Sequence, residues 1–265
     1  MRPRDPSAPL RPAAGTLERR LKTGRLQLIP YLMAGFPSKP ESIEMGRRYA
    51  GLGPGAIEIG IPFSDPLADG PTVQRAGQAA REAGMTVPGA LEVAAAVARE
   101  GVPVVLMTYV NPVLAYDARR FAAEAAQAGV AGVIIPDLPT EEAEPLASWL
   151  RAAGLDTIFL VAPTSPDARI TSICSASSGF VYCVTVTGVT GARAQLATGL
   201  GELLDRVQAR TELPVAAGFG ISSPQHLDRL RGHADAAVVA SALLEETHQG
   251  RDSAVLAKEL IDACR

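Results

Sequence analysis

The stretch Ala56-Ile-Glu-Ile-Gly-Ile-Pro-Phe-Ser-Asp-Pro-Leu-Ala-Asp-Gly-Pro71 begins as a short apolar strand and continues into a loop. Because side chains alternate between the two faces of a strand, its isoleucines share one face and Glu58 shares the other with Gly60. A charge inside a folded core costs free energy unless it is paired or used, so we interpret Glu58 as functional. The alternative is a buried structural acid, although core strands rarely carry one unpaired. The loop adds two more carboxylates, Asp65 and Asp69.

Seven more apolar runs of four to six residues recur along the chain. Each is followed by a polar or Gly/Pro loop, and most loops lead into alanine-rich stretches with helical spacing. The other predicted strands are Leu28–Met33, Val102–Met107, Gly132–Ile135, Thr157–Val161, Phe180–Val184, Leu213–Ala217 and Ala236–Val239. Eight alternations of strand and helix predict a parallel sheet.

The stretches between the strands carry helix-start and helix-stop signals. The predicted helices include Ala118–Ala128 after Asp117, Glu141–Ala153 after Thr140, Asp167–Ala176 after Ser165-Pro166, and Gln225–Arg231 after Ser223-Pro224. Most helices are expected to end on glycine, at Gly84, Gly101, Gly129, Gly154 and Gly232.

Eight such units in 265 residues predict an α/β fold, a single (β/α)₈ TIM barrel with a short N-terminal helix and extra helices. The barrel domain is expected over residues 16–265, after a flexible proline-rich leader over residues 1–15. An open doubly wound sheet is the alternative fold. No Gly-x-Gly-x-x-Gly follows the first strand, which weakens a dinucleotide-binding interpretation.

Composition excludes several classes of function. The net charge is −3 without a basic tail, so nucleic-acid binding has no electrostatic support. No apolar run reaches membrane-spanning length, and the first residues lack the apolar block of a signal peptide. Three cysteines without metal-ligand spacing fit a reducing cytoplasm.

Glycine-rich loops after the last predicted strands indicate a phosphate site. They are Thr187-Gly-Val-Thr-Gly-Ala192, Gly218-Phe-Gly-Ile-Ser222, and Ala240-Ser241 before a short helix Ala242–Glu246. In (β/α)₈ barrels, phosphate is often bound by the loops after strands 7 and 8 and a short helix N-terminus. The alternative is that these glycines only shape turns.

Elimination points to carboxylate chemistry. No lysine falls on a predicted strand and no histidine at a strand end, which disfavours a Schiff base or a histidine base; these residues are Lys22, Lys39, Lys258, His226, His233 and His248. What remains is Glu58 as proton shuttle, Asp69 as charge partner and Tyr182 as support. We expect no metal, although three acids could instead hold Mg²⁺. Asp69 could also be only a helix lead-in, and Tyr182 only barrel filler.

Three motifs resemble those of the tryptophan synthase alpha chain family. They are Ile59-Gly-Ile-Pro-Phe-Ser-Asp-Pro-Leu-Ala-Asp-Gly-Pro71, Thr187-Gly-Val-Thr-Gly191 and Gly218-Phe-Gly-Ile-Ser222, and the resemblance covers residues 16 to 264. It implies the (β/α)₈ fold and retro-aldol cleavage of indole-3-glycerol phosphate to indole and glyceraldehyde 3-phosphate, without a cofactor. It also implies an αββα heterotetramer, in which the tryptophan synthase beta chain carries pyridoxal phosphate and receives the indole.

The resemblance also implies roles for individual residues. Glu58 matches the catalytic glutamate, Asp69 the aspartate that holds the indole N–H, and Tyr182 the tyrosine beside the glutamate. Thr190 matches a loop threonine that meets Asp69 on closure. The indole pocket would be lined by Tyr31, Met107, Ile134, Leu160 and Phe219, and the phosphate would be bound at Gly191, Gly220, Ala240 and Ser241.

The chain departs from the family pattern at three of the compared positions. Ala240 stands where members usually have glycine, Val186 where some have arginine, and Phe180 where some have tyrosine. Three other functions stay open at this point. They are a free-standing indole-3-glycerol-phosphate lyase, a non-catalytic regulatory alpha-like subunit, and another phosphate-binding barrel enzyme such as a sugar-phosphate isomerase.

Overall fold

The computed structural model describes residues 15–184, 199–218 and 220–265. Within them, nine parallel strands form one sheet in the order β5-β4-β3-β2-β1-β9-β8-β7-β6. The strands are β1 Gln27–Met33, β2 Ile57–Gly60, β3 Val104–Met107, β4 Val130–Ile134, β5 Asp156–Ile158, β6 Leu160–Val161, β7 Val181–Val184, β8 Val215–Gly218 and β9 Ala236–Val239.

The sheet closes into a barrel at Phe159. This residue alone separates β5 from β6, which are the two ends of the sheet. Its carbonyl accepts a hydrogen bond of 3.1 Å from the N–H of Tyr182 on β7. The predicted fifth strand, Thr157–Val161, is therefore two short strands at one position of an eight-position barrel. The (β/α)₈ prediction is confirmed, and the open sheet is wrong.

Helices cover the outside of the barrel, and the first helix covers its amino end. They are α1 Thr16–Leu21, α2 Lys39–Gly51, α3 Pro71–Glu82, α4 Val87–Ala98, α5 Val110–Tyr116, α6 Ala118–Gln127, α7 Leu146–Ala152, α8 Asp167–Ala176, α9 Leu200–Gln208, α10 Pro224–Asp228, α11 Ser241–His248 and α12 Ser253–Cys264, with a 3₁₀ turn at Thr140–Glu142. The short N-terminal helix and the extra helices are thus confirmed. None of the helices in these described ranges is long and apolar enough to cross a lipid bilayer.

Helices follow three of the four predicted start signals, and the prediction after Thr140 is wrong. The Asp117 carboxylate accepts hydrogen bonds from the N–H groups of Arg119 and Arg120, so it caps α6 as expected. The single helix predicted over Glu141–Ala153 is wrong. A 3₁₀ turn ends at Glu142 and α7 starts only after Pro145, because proline lacks an N–H and disfavours helical geometry before it.

The two Ser-Pro pairs precede helices, but neither serine caps one through its side chain. The Ser165 hydroxyl instead accepts the N–H of Ala162 at 3.1 Å. The glycines predicted to end helices all have φ between 81 and 84°. Left-handed backbone of this kind is the ordinary reason for glycine at a helix end.

Alternation along the strands separates two layers of core. The three isoleucines of the opening stretch, Ile57, Ile59 and Ile61, pack in the layer between sheet and helices. Glu58 is on the opposite face and points into the barrel, where it is 1% exposed. The rest of the described barrel interior is mainly apolar and aromatic, and α1 contributes Leu17 to it at the amino end. The predicted leader, residues 1–15, lies outside the described residues except for Gly15, so it stays a prediction.

Candidate active site at the carboxyl end of the barrel

A pocket opens at the carboxyl end of the barrel. Its wall is formed by Tyr31, Glu58, Asp69, Gly70, Val73, Met107, Tyr182, Gly220, Ile221, Val238, Ala240 and Ser241. Eight of these residues were named from the sequence, and they come from six separate segments of the chain. The parallel barrel brings them together because the carboxyl ends of all its strands meet on one side.

Glu58 is the most deeply buried acid of the pocket. It lies on β2 in register with Tyr31 on β1 and Val105 on β3. Its Oε2 atom is buried and has no hydrogen-bond partner among the described residues. Burial raises the pKa of the Glu58 carboxyl to about 8, and the nearby charge of Asp69 adds to the rise. Glu58 is therefore mostly protonated at neutral pH and can donate a proton.

Asp69 lies in the loop after β2 and is 6% exposed. Burial raises the pKa of its carboxyl to about 7, while a hydrogen bond with the Tyr109 hydroxyl opposes the rise. The same hydroxyl accepts the N–H of Ala68 at 3.2 Å. Tyr109 therefore ties the loop after β2 to the loop after β3. Sequence reasoning missed this role, and the only signal was the position of Tyr109 two residues beyond a predicted strand.

Neither acid of the loop after β2 caps a helix through its side chain. Helix α3 starts after Gly70 without any side-chain cap, so the Asp69 carboxylate does not cap it. Asp65 is exposed and absent from the pocket wall, and its carbonyl accepts the N–H of Leu67 in a turn. In the described part of the chain, no group of three or more acids, histidines or cysteines could hold a metal ion.

Two tyrosines flank Glu58, and each packs against a glycine. A Cβ built at Gly60 would lie 1.8 Å from the Tyr31 hydroxyl, and one at Gly218 would lie 2.0 Å from the Tyr182 hydroxyl. Only glycine leaves room for these rings. Burial raises the pKa of both phenols well above its usual range, and the charges of the two acids add to this. Both hydroxyls thus stay protonated at neutral pH.

Gly220 and the start of α11 form another part of the pocket wall. Gly220 has a φ of 81° and lies beside Ile221 on the wall. Helix α11 begins at Ser241, one residue earlier than predicted, with Ala240 at its N-cap and no side-chain cap. The first N–H groups of a helix lack partners within the helix, and the dipole there favours anions. This wall is suited to a phosphate group.

The remaining predicted residues divide into two groups. Ile134 is buried inside the barrel in register with Met107. Leu160 is partly exposed and lines a separate pocket. Neither lies on the wall of the pocket that holds Glu58. Three other predicted site residues, together with the Val186 departure, lie outside the described residues: Thr190, Gly191 and Phe219.

The fold and pocket define a (β/α)₈ enzyme with a buried carboxylate pair, whose described wall contains no lysine, histidine or cysteine. A family model described as the tryptophan synthase alpha chain matches residues 17–264. The chain belongs to that family, whose members are lyases that cleave indole-3-glycerol phosphate. This supports the lyase and none of the alternative functions.

Individual relatives and solved structures agree with the family match. A tryptophan synthase alpha chain of Roseiflexus sp. (strain RS-1) is 48% identical over 228 residues, which is 85% of this chain and 87% of the relative. A chain of Mycobacterium tuberculosis tryptophan synthase superposes with a TM-score of 0.90 at 37% identity, covering 96% of this chain and 99% of that one. A chain of the Pyrococcus furiosus tryptophan synthase α₂β₂ complex gives a TM-score of 0.82 at 37% identity, covering 91% and 97%.

Proposed function

We propose that the lyase reaction of this family is carried out in this chain by Glu58 as a single proton shuttle. One observation carries the proposal: a carboxyl group buried in the pocket, with an oxygen that has no partner among the described residues and with its pKa raised to about 8. An acid–base catalyst works best when its pKa lies near the working pH. Glu58 meets this condition because it is buried away from solvent and because no described positive charge lies beside it to lower its pKa.

The reaction then runs in two proton transfers. Protonated Glu58 gives its proton to C3 of the indole ring, and a positive charge develops at the ring nitrogen. The resulting carboxylate takes the proton of the glycerol hydroxyl next to the ring. The bond between C3 and the glycerol carbon breaks, its electrons neutralise the ring, and the hydroxyl carbon becomes the aldehyde. Indole and glyceraldehyde 3-phosphate leave, and Glu58 is protonated again.

Asp69 would stabilise the positive charge at the indole nitrogen. A fixed carboxylate placed where positive charge develops lowers the free energy of the transition state, and it does so without transferring a proton. The hydrogen bond from Tyr109 supports this role, because it favours the ionised form of Asp69 and fixes its position. Tyr182 would complete the surroundings of Glu58 as a neutral hydroxyl.

The rest of the pocket would bind the two ends of the substrate. The phosphate would lie against Gly220, Ala240 and Ser241, with Gly191 completing the site. The indole ring would lie against Tyr31 and Met107. Ile134, Leu160 and Phe219 remain proposed pocket residues, and Thr190 remains the proposed partner of Asp69 on loop closure.

A beta-chain partner is part of the proposal. Leu67 is 77% exposed in the loop that holds Asp69, and Leu114 is 55% exposed on α5, just after the Tyr109 loop. Exposed large apolar side chains beside a site support a protein contact. We propose an αββα assembly that passes indole to the beta chain, with pyridoxal phosphate there and no cofactor on this chain. A cytoplasmic setting is consistent with three buried, free cysteines.

The test is an indole-release assay on the purified chain with indole-3-glycerol phosphate, alone and with a beta chain. We expect release of indole that the beta chain stimulates. Absence of indole under both conditions would contradict the lyase assignment. Full turnover without the beta chain, and no change on adding it, would contradict the proposed partnership while leaving the chemistry intact.

A further inference from the structure

His226 makes a contact that the acid–base mechanism does not use. Its Nδ1 atom accepts the backbone N–H of Ser222 at 3.2 Å, and the Ser222 hydroxyl lies 3.5 Å from the same nitrogen. The side chain is 7% exposed, so this contact is largely shielded from water. Ser222 is two residues after Gly220, which forms part of the pocket wall.

The contact replaces an ordinary helix cap. Ser223 is the N-cap of α10, but its side chain makes no cap hydrogen bond. His226, the third residue of the helix, reaches back to the N–H that precedes the cap. This resembles a capping box, in which the third helical residue accepts a backbone N–H at the helix start. Because Nδ1 accepts a hydrogen bond, the neutral ring carries its proton on Nε2.

We propose that His226 is a positioning residue for the phosphate side of the active site. Its bond to Ser222 fixes the segment over residues 220–223 before α10, and so holds Gly220 and Ile221 on the pocket wall. This inference rests on the proposed function, because it assumes that the Gly220 loop binds the substrate phosphate. It assigns His226 no contact with the substrate and no proton transfer.

Two substitutions separate the hydrogen bond from the shape of the side chain. His226→Leu fills similar space but removes the acceptor. His226→Asn keeps an acceptor, because the Oδ1 atom of asparagine occupies the place of Nδ1. Both variants are assayed with the beta chain for kcat and KM, and inorganic phosphate is used as a competitive inhibitor to probe the phosphate side alone.

We expect His226→Leu to raise the KM and the inhibition constant of phosphate roughly tenfold, as for one lost buried hydrogen bond, with kcat within about twofold. His226→Asn should restore both constants to within about threefold of the parent. Unchanged constants in a folded His226→Leu, or equal losses in both variants, would overturn the positioning role. If phosphate failed to compete in the parent protein, the phosphate assignment of the Gly220 loop would itself be wrong.

Discussion

The barrel places a perturbed acid at each end, and the two acids have different surroundings. At the amino end, Asp156 is the first residue of β5, where burial raises the pKa of its carboxyl and a hydrogen bond with Ser178 lowers it. At the carboxyl end, Glu58 is deeper and its Oε2 atom has no partner in the described residues. Burial raises the pKa of Glu58 to about 8.

The difference supports the proposal that Asp156 is a structural acid and Glu58 a functional one. A structural acid is stabilised by a local hydrogen bond, and Asp156 has such a bond with the side chain of Ser178. Glu58 has a buried oxygen that no described residue satisfies, which lowers stability unless the group has another use. A substrate that occupies the pocket could satisfy Glu58, whereas Asp156 needs nothing more.

The largest effect is expected from Glu58→Gln. Glutamine has nearly the same shape but cannot donate and regain a proton, so kcat should fall by about 10³-fold while substrate still binds. Steady-state indole release and substrate binding by calorimetry measure the two quantities separately. Asp156→Asn is the matched control at the other end of the barrel and should keep kcat near the parent value. Near-parental kcat in Glu58→Gln would contradict its assignment as proton shuttle.

Asp69→Asn should reduce kcat by about 10²-fold, with a smaller change in KM, because a carboxylate is lost where positive charge develops. The control is Asp65→Asn in the same loop, where the side chain is exposed and away from the pocket wall. If the two variants lost activity equally, the effect would come from the loop as a whole and not from charge stabilisation by Asp69.

Sequence reasoning located Glu58 because alternation along a strand is a local property. The acid and the isoleucines around it alternate within six residues, so the inward face can be read directly. The loops after the last strands could be assigned to one end of the barrel because the carboxyl ends of parallel strands all meet on the same side. The helix break before α7 was also local, since Pro145 lies inside the stretch predicted as helix.

Other features depend on contacts between distant segments. The Tyr109 hydroxyl meets Ala68 across 41 positions of sequence, and the register that brings them together is set by the pairing of β2 with β3. The split of the fifth strand at Phe159 has no marker such as proline or glycine at that position. No periodic pattern within either segment encodes such contacts, so the hydrogen-bond partner of Asp69 could not be predicted.

The pH dependence of kcat/KM tests the two pocket acids together. Glu58 must begin protonated, so activity should fall as pH rises through about 8. Asp69 must be ionised, so activity should also fall as pH drops through about 7. The acidic and basic limbs of the profile report the pKa values of the two carboxyls as a coupled pair. We therefore expect kcat/KM to have a narrow maximum between pH 7 and pH 8 and to fall about tenfold per pH unit on either side. A flat profile from pH 6 to 9 would contradict the proposed protonation states.

The smallest effect is expected from Tyr109→Phe. The hydrogen bond from this hydroxyl opposes the rise in the pKa of Asp69, so removing it should raise that pKa further. The acidic limb of kcat/KM should then move to higher pH, with about a threefold to fivefold loss near pH 7 and little loss at higher pH. Tyr116→Phe is the matched control, since it removes a hydroxyl bonded to Glu124 outside the pocket and should leave the profile unchanged. An unshifted acidic limb in Tyr109→Phe would mean that Asp69, like Glu58, depends on the substrate rather than on a protein partner.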